Sequence, residues 1–139
     1  MPITLKVKDI MDTKVHSLDA GATVAKAIKS MVENKVWSLI VEKRGLPEGV
    51  VTERDVLRRC LAKGLDPAKT SVGSIASSPV ISIGPEATIR DAMDLMAAKD
   101  IRRLFVVEKG KIIGRVTQTE LFQSTLSVME TLSSLSDAL

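Results

Sequence analysis

Cysteine and histidine each occur once, as Cys60 and His16, and tyrosine is absent. A single cysteine excludes an intramolecular disulfide and a thiolate-based metal cluster. One of each also leaves the usual nucleophile–base pairs almost nothing to draw on, so no catalysis and no metal centre are expected and both residues are read as structural. Aromatic side chains stop at Trp37, Phe105 and Phe122, too few to build a stacking platform for single-stranded nucleic acid. No uncharged apolar run approaches the roughly 18 residues needed to cross a bilayer, and the amino terminus lacks a signal-peptide pattern. The chain is therefore expected to be cytoplasmic, with no membrane partner. A strong charge of one sign is missing too, since 20 Lys/Arg face 17 Asp/Glu for a net charge of +3. Nucleic-acid binding through Arg54, Arg58, Arg59 and Lys63 is accordingly disfavoured, because such basic stripes are usually solvated helix faces.

The 139 residues instead carry an internal repeat. Residue n set beside n+65 pairs Val7 with Val72, Ala22-Thr23 with Ala87-Thr88, Met31 with Met96, Leu39 with Leu104 and Val51-Thr52 with Val116-Thr117. Without a gap from 7/72 to 55/120, 14 of 49 pairs are identical, several times the roughly 6% expected from average residue usage. Each copy begins with a short strand, 15–18 or 80–83. A helix opened by Thr23 or Thr88 follows, with Val24, Ala27, Ile28, Met31 and Val32 on one face of the first and Ile89, Ala92, Met93 and Met96 on one face of the second. Two strands turn on Gly45 or Gly110, and a second helix closes the copy. In copy one Val56, Leu57, Cys60 and Leu61 line that helix's inner face and Gly64 suits its end. In copy two the helix runs on through Leu121, Val128, Met129, Leu132, Leu135 and Leu139.

Neither copy alone is large enough to bury both faces of a three-stranded sheet. The expected fold class is α/β (α+β): two pseudo-two-fold-related β-α-β-β-α units packed sheet to sheet in one module over 1–139, with unit one at 5–65, unit two at 70–125 and a helical extension at 126–139. Two stacked twisted sheets leave two related clefts.

The end of each last strand is the most informative segment: Gly49-Val50-Val51-Thr52-Glu53-Arg54-Asp55 and Gly114-Arg115-Val116-Thr117-Gln118-Thr119-Glu120. The glycine permits a close backbone approach, and the threonine starts a helix whose free amides favour an anion. Three residues on, a carboxylate can accept two hydrogen bonds from a ribose diol. Thr-x-x-Glu and Thr-x-x-Asp equally spell a capping box that needs no ligand. The glycine at one register in both copies favours a binding role in copy one.

With those residues in view, the repeated unit ending in Gly-hydrophobic-x-Thr-x-x-Asp resembles the cystathionine β-synthase (CBS) domain, and the pair resembles a Bateman module over about residues 5–125. The resemblance implies a regulatory module that often forms a homodimer, binds AMP, ADP, ATP or S-adenosylmethionine in its clefts, and signals occupancy to a partner. That effector would here be a separate chain. It implies that Thr52 and Asp55 hold ribose with Arg54 near phosphate, and that Thr117, Thr119 and Glu120 match them in copy two. Ile101-Arg102-Arg103-Leu104 is similar to a His-Arg-Leu stretch of the family's kinase-associated members, where the basic pair meets phosphate. The cleft facing Thr117 would borrow from Ser17, Val36 and Trp37, and the cleft facing Asp55 from Ser82, Ile101 and Arg102. Glu120 displaces its carboxylate by about one bond, roughly 1.5 Å, and makes the better capping box, so the second site is expected to be the weaker. The alternative is an interaction module with vestigial clefts that holds its partner through the Leu-rich tail.

Overall fold

In the computed structural model, which describes residues 4–77 and 80–138, the elements run in the order the repeat requires. They are α1 (Val7–Ile10), β1 (Ser17–Asp19), α2 (Val24–Asn34), β2 (Ser38–Lys43), β3 (Leu46–Thr52) and α3 (Glu53–Asp55), which continues into a wider helical turn at Val56–Leu61. Then come β4 (Ser82–Ile83), α4 (Ile89–Lys99), β5 (Arg103–Glu108), β6 (Lys111–Thr117) and α5 (Gln118–Ala138). The class is mixed α and β, with two three-stranded sheets ordered β1-β2-β3 and β4-β5-β6.

The sheets share one register. Ser17 pairs with Ile40 in parallel and Ser38 with Thr52 in antiparallel fashion; 65 residues on, Ser82 pairs with Phe105 and Arg103 with Thr117. Both hairpins shift register at one matched place, Val41/Glu42 and Val106/Val107. Their turns hold positive φ at two successive residues, Arg44-Gly45 and Lys109-Gly110, the geometry whose twist suits a two-residue hairpin. Helices α2 and α4 start where expected: Thr23 Oγ1 accepts from Lys26 N and Thr88 Oγ1 from Asp91 N. Each ends on a residue in the left-handed region, Lys35 and Asp100.

The chain divides into two compact units, and they are not the repeats as written along the sequence. The amino unit is residues 15–80; the carboxyl unit joins residues 4–14 to 81–138. The segment that leads each repeat is built onto the other copy. Lys6 bridges to Thr88 and Asp12 to Arg115, and at matched positions Ser71 bridges to Thr23 and Ser77 to Val50. Backbone pairing dictates this arrangement, because the leads satisfy edge groups that the three strands leave open. Val72 and Ile75 accordingly sit in the core of the amino unit with Leu39, Val41, Val51 and Cys60, whereas Val7 sits in the core of the carboxyl unit with Leu104, Val106, Val116 and Leu121.

Several inward assignments are corrected. Val24, Ala27 and Met31 are buried, but Val32, on the same predicted stripe, is exposed, as is Met93 on α4. In the second helix of copy one Val56 and Cys60 are buried while Leu57 and Leu61 are exposed. That stretch is wound with i to i−5 bonds, Ala62 N donating to Leu57 O at 2.8 Å and Leu65 N to Cys60 O at 3.0 Å, which widens the helix. Leu121 is buried, but Val128, Met129, Leu132 and Leu135 are exposed; Leu139 lies outside the described residues.

The amino-terminal lead is held partly by charge. Glu86 accepts from Lys6 Nζ at 2.6 Å and from Lys8 Nζ at 2.8 Å, and these two bonds, Lys6 foremost, lower its carboxyl from 4.5 to about 2. Asp12 is also held below its ordinary value, chiefly by the Lys14 N–H and then by Arg115, with burial opposing. A carboxyl with a depressed folded pKa stabilises fully above its unfolded pKa and loses that contribution as pH falls toward the folded one. The window for Glu86 therefore runs from about 4.5 down to about 2. The amides of Val7 and Asp12, which donate to Ala87 O and Arg115 O, are expected to lose hydrogen-exchange protection in that window. Glu86→Gln should remove most of the Val7 change; an identical profile in that variant refutes the assignment. The pair is exposed, so the effect is local and weakened by salt.

Candidate functional site

Both strand-to-helix corners form as the sequence suggests, each with its carboxylate folded back onto its threonine. At the first, Asp55 Oδ2 accepts from Thr52 N at 2.9 Å and from Thr52 Oγ1 at 3.1 Å, while Asp55 N donates to Thr52 Oγ1 at 3.2 Å. The reciprocal capping box is thus complete with aspartate. At the second, Glu120 Oε2 accepts from the Thr117 hydroxyl and from Thr117 N, whereas Thr117 Oγ1 accepts from Thr119 N. The expectation that glutamate makes the better box is corrected here: the shorter side chain keeps the i to i+3 pairing, and the longer one shifts the hydroxyl to an i+2 partner.

Asp55 is buried, with 8% of its surface exposed. Its other oxygen, Oδ1, has longer contacts, Ser77 Oγ at 3.3 Å and Arg59 Nε at 3.7 Å. Arg59 also donates to the carbonyls of Ile75 and Ala76, so this guanidinium ties the helix to the returning lead segment and does not belong to a free basic stripe. Neither Ser77 nor Arg59 was identified as a site residue from sequence. The signal available was the offset of 65, which sets Ser77 against Asp12, each beside the strand that ends in the corner.

The reading of Gly114 is corrected. A Cβ on Gly114 would lie 2.7 Å from Met11 Sδ and 3.0 Å from Asp12 O. The close approach that position permits is made by the chain's own lead segment, where Arg115 Nη2 meets Asp12 Oδ2 at 3.1 Å.

The remaining candidates divide between the units. Ser17, Val36, Trp37, Thr52, Arg54 and Asp55 belong to the amino unit; Ser82, Ile101, Arg102, Arg103, Thr117, Thr119 and Glu120 belong to the carboxyl unit. Within each, one backbone bond joins corner to strand entry: Glu53 N donates to Trp37 O, and Gln118 N to Arg102 O. Val36 is buried in the core, so it offers a ligand only its backbone, whereas Trp37 and Arg102 are exposed. Arg103 opens β5 opposite Thr117 and is half-buried. Ile101 and Arg102 help line a groove of about 530 Å³ between α4 and α5, with Met93, Met96, Leu121 and Phe122. Among the described residues no group of three or more His, Cys, Asp or Glu is placed to hold a metal, and no helix is long and apolar enough to cross a membrane.

The CBS domain family model matches the chain twice, over residues 7–62 and 72–126. The chain belongs to the CBS domain family. It is similar to the CBS domain-containing protein YhcV of Bacillus subtilis, 32% identical over 121 residues that cover 87% of this chain and 86% of that one. It is similar also to the mitochondrial CBS domain-containing protein CBSX3 of Arabidopsis thaliana, 33% identical over 80% of this chain but spanning 60% of the relative. Among solved structures, a hexameric CBS-CP12 protein from bloom-forming cyanobacteria superposes with a TM-score of 0.80 at 32% identity, covering 88% of this chain and 72% of that one. Tandem CBS domains are generally regulatory modules, and this chain is a tandem CBS protein.

Proposed function

We propose that this CBS pair is a non-catalytic sensor that binds an adenine nucleotide, AMP, ADP or ATP, or else S-adenosylmethionine, and signals occupancy to an effector. The observation that carries the proposal is the buried Asp55 carboxylate: one oxygen is anchored by Thr52, and among the described residues the other is held only by contacts of 3.3 and 3.7 Å. A ribose diol would replace those long contacts with short charge-assisted bonds, each worth about 1.5–3 kcal/mol. Arg54 supplies the phosphate partner. The corner of Thr117, Thr119 and Glu120, with Arg103 paired to Thr117 across β5 and β6 and Arg102 O accepting from Gln118 N, serves as the weaker site, because the longer Glu120 side chain displaces its carboxylate by about one bond, roughly 1.5 Å.

A second reading, an interaction module with vestigial sites, is favoured by one observation: the capping box at Thr52 and Asp55 is complete without any ligand. Thermal unfolding with each of the four compounds separates the two readings. At a hundred times its dissociation constant a ligand stabilises by about 2.7 kcal/mol, which raises Tm by several degrees in a chain of this size. Absence of any shift with all four favours the interaction module.

A further inference from the structure

A carboxylate offers about four acceptor positions, two on each oxygen, and at Asp55 all four are in use. Oδ2 takes the Thr52 N–H and hydroxyl, while Oδ1 takes the Ser77 hydroxyl at 3.3 Å and faces Arg59 Nε at 3.7 Å. A diol that donates two hydrogen bonds to Oδ1 therefore takes the places of Ser77 and Arg59. Both belong to a connection that reaches beyond the corner. Arg59 Nη1 donates to the carbonyls of Ile75 and Ala76, each at 3.3 Å, and Ser77 exchanges two backbone bonds of 2.8 Å with Val50.

The lead segment they hold, residues 71–77, is secured differently at its two ends. At the start Val72 N donates to Ala22 O at 2.7 Å and Gly73 N to Ala20 O at 2.9 Å, and the Val72 side chain is fully buried. At the finish Ala76 is half-buried and Ser77 exposed, so that end depends on the Val50 pairing and on the two side chains that meet at Asp55. The carboxyl unit is built otherwise. Glu120, Ser124 and Asp12 stand there at the positions of Asp55, Arg59 and Ser77. Ser124 has no guanidinium, an ionised Asp12 has no proton to give a second carboxylate, and Asp12 pairs instead with Arg115 of β6 at 3.1 Å.

We infer that Asp55 is a latch: in the free chain it holds residues 75–77 through Ser77 and Arg59, and a ligand diol that takes Oδ1 frees that end of the lead, whereas the corner at Glu120 leaves its own lead undisturbed. The inference rests on the ribose reading of Asp55 for its ligand and adds the segment that responds. Because ligand and lead compete for one oxygen, the coupling is reciprocal, and whatever weakens the latch strengthens binding by the same factor. The freed residues stand shortly before the chain passes from the amino unit to the carboxyl unit, at residues 80 and 81. Occupancy of one corner thus acts on one of the chain's own connections, and occupancy of the other does not.

Amide hydrogen exchange on the full chain reads the latch, with the Ser77 and Val50 amides as reporters and the Val72 amide as internal reference. In the free protein Ser77→Ala and Arg59→Met should each speed exchange at both reporters about 3- to 10-fold, the factor one lost hydrogen bond gives, and leave Val72 unchanged. Ser77 is exposed and the Arg59 side chain is 49% exposed, so both variants should keep their circular dichroism. AMP, ADP, ATP and S-adenosylmethionine are then added to the wild type in turn. A compound that raises Tm should speed the same two reporters, and Ser77→Ala should bind it more tightly by about the factor seen in the free protein. Reporters as slow in both variants as in the wild type overturn the latch, whether or not a ligand is found. A compound that raises Tm but leaves the reporters protected overturns it and spares the nucleotide reading, and so does weaker binding by Ser77→Ala. No Tm shift with any of the four refutes the nucleotide reading alone, and the free-protein comparison then decides the latch.

Discussion

Asp55→Ala is expected to lower stability by about 2–3 kcal/mol, a fall in Tm of roughly 6–12 °C, and to abolish any response to nucleotide. The stability loss follows from the bonds that converge on this carboxylate. Without it the Thr52 N–H, half-buried at the corner, loses its 2.9 Å acceptor, Ser77 Oγ loses its own, and Arg59 loses its ion-pair partner while keeping the Ile75 and Ala76 carbonyls. An unsatisfied buried donor costs about 1–3 kcal/mol and a lost cap about 0.5–2 kcal/mol; the two overlap here because they share a bond. Asp55→Asn separates structure from binding. Its amide oxygen still accepts from Thr52, so the loss should shrink to about 1 kcal/mol, but its NH2 group donates where a ribose diol also donates. An Asn variant that keeps the full nucleotide shift would sink the proposed ribose contact, and an Ala variant that melts with the wild type would show that the corner does not hold the helix.

What the sequence made legible is what repeats locally. Thr23 and Thr88 cap their helices as read, both hairpins turn at Gly45 and Gly110, and the strands fall within two or three residues of their expected bounds, because each depends on short-range chemistry. The leads were misread for the opposite reason. Residues 7–10 and 72–74 match in sequence, so they were assigned each to its own copy, yet Lys6 pairs with Thr88 and Ser71 with Thr23. Two copies of one strand pattern offer a lead two similar docking places, and periodicity carries no information about which is taken.

The apolar stripes failed in a related way. Spacing on a helix shows which residues share a face, not whether anything covers it. Leu57 and Leu61 satisfied the pattern as well as Val56 and Cys60 did, and the matched positions of α5 divide alike, Leu121 buried and Phe122 and Leu126 exposed. The corner posed a harder ambiguity: capping and ligand binding use the same Thr52 and Asp55 atoms, so no reading of the motif separates them. What the fold adds lies outside the motif, in Ser77 and Arg59, whose long contacts leave Asp55 Oδ1 weakly held.

The largest losses are expected from Leu39→Ala and Leu104→Ala, one repeat position in two separate cores. Both leucines are fully buried, each near the start of the middle strand of a three-stranded sheet, Leu39 paired with Val51 and Leu104 with Val116. Truncating a buried leucine forfeits its transfer free energy and leaves a cavity that close-packed neighbours only partly fill, about 2–5 kcal/mol in all. That is a large share of the 5–15 kcal/mol typical of a native domain, so either variant should be substantially unfolded well below the wild-type Tm. Leu57→Ala is the control within the same unit. The amphipathic pattern alone would rank it with the core, but at 58% exposure it should cost the dilute, unassociated chain no more than about 0.5 kcal/mol. Chemical denaturation at low protein concentration distinguishes the cases. If Leu57→Ala loses as much as Leu39→Ala there, its side chain is covered within the single chain and the exposure that separates it from the core is wrong.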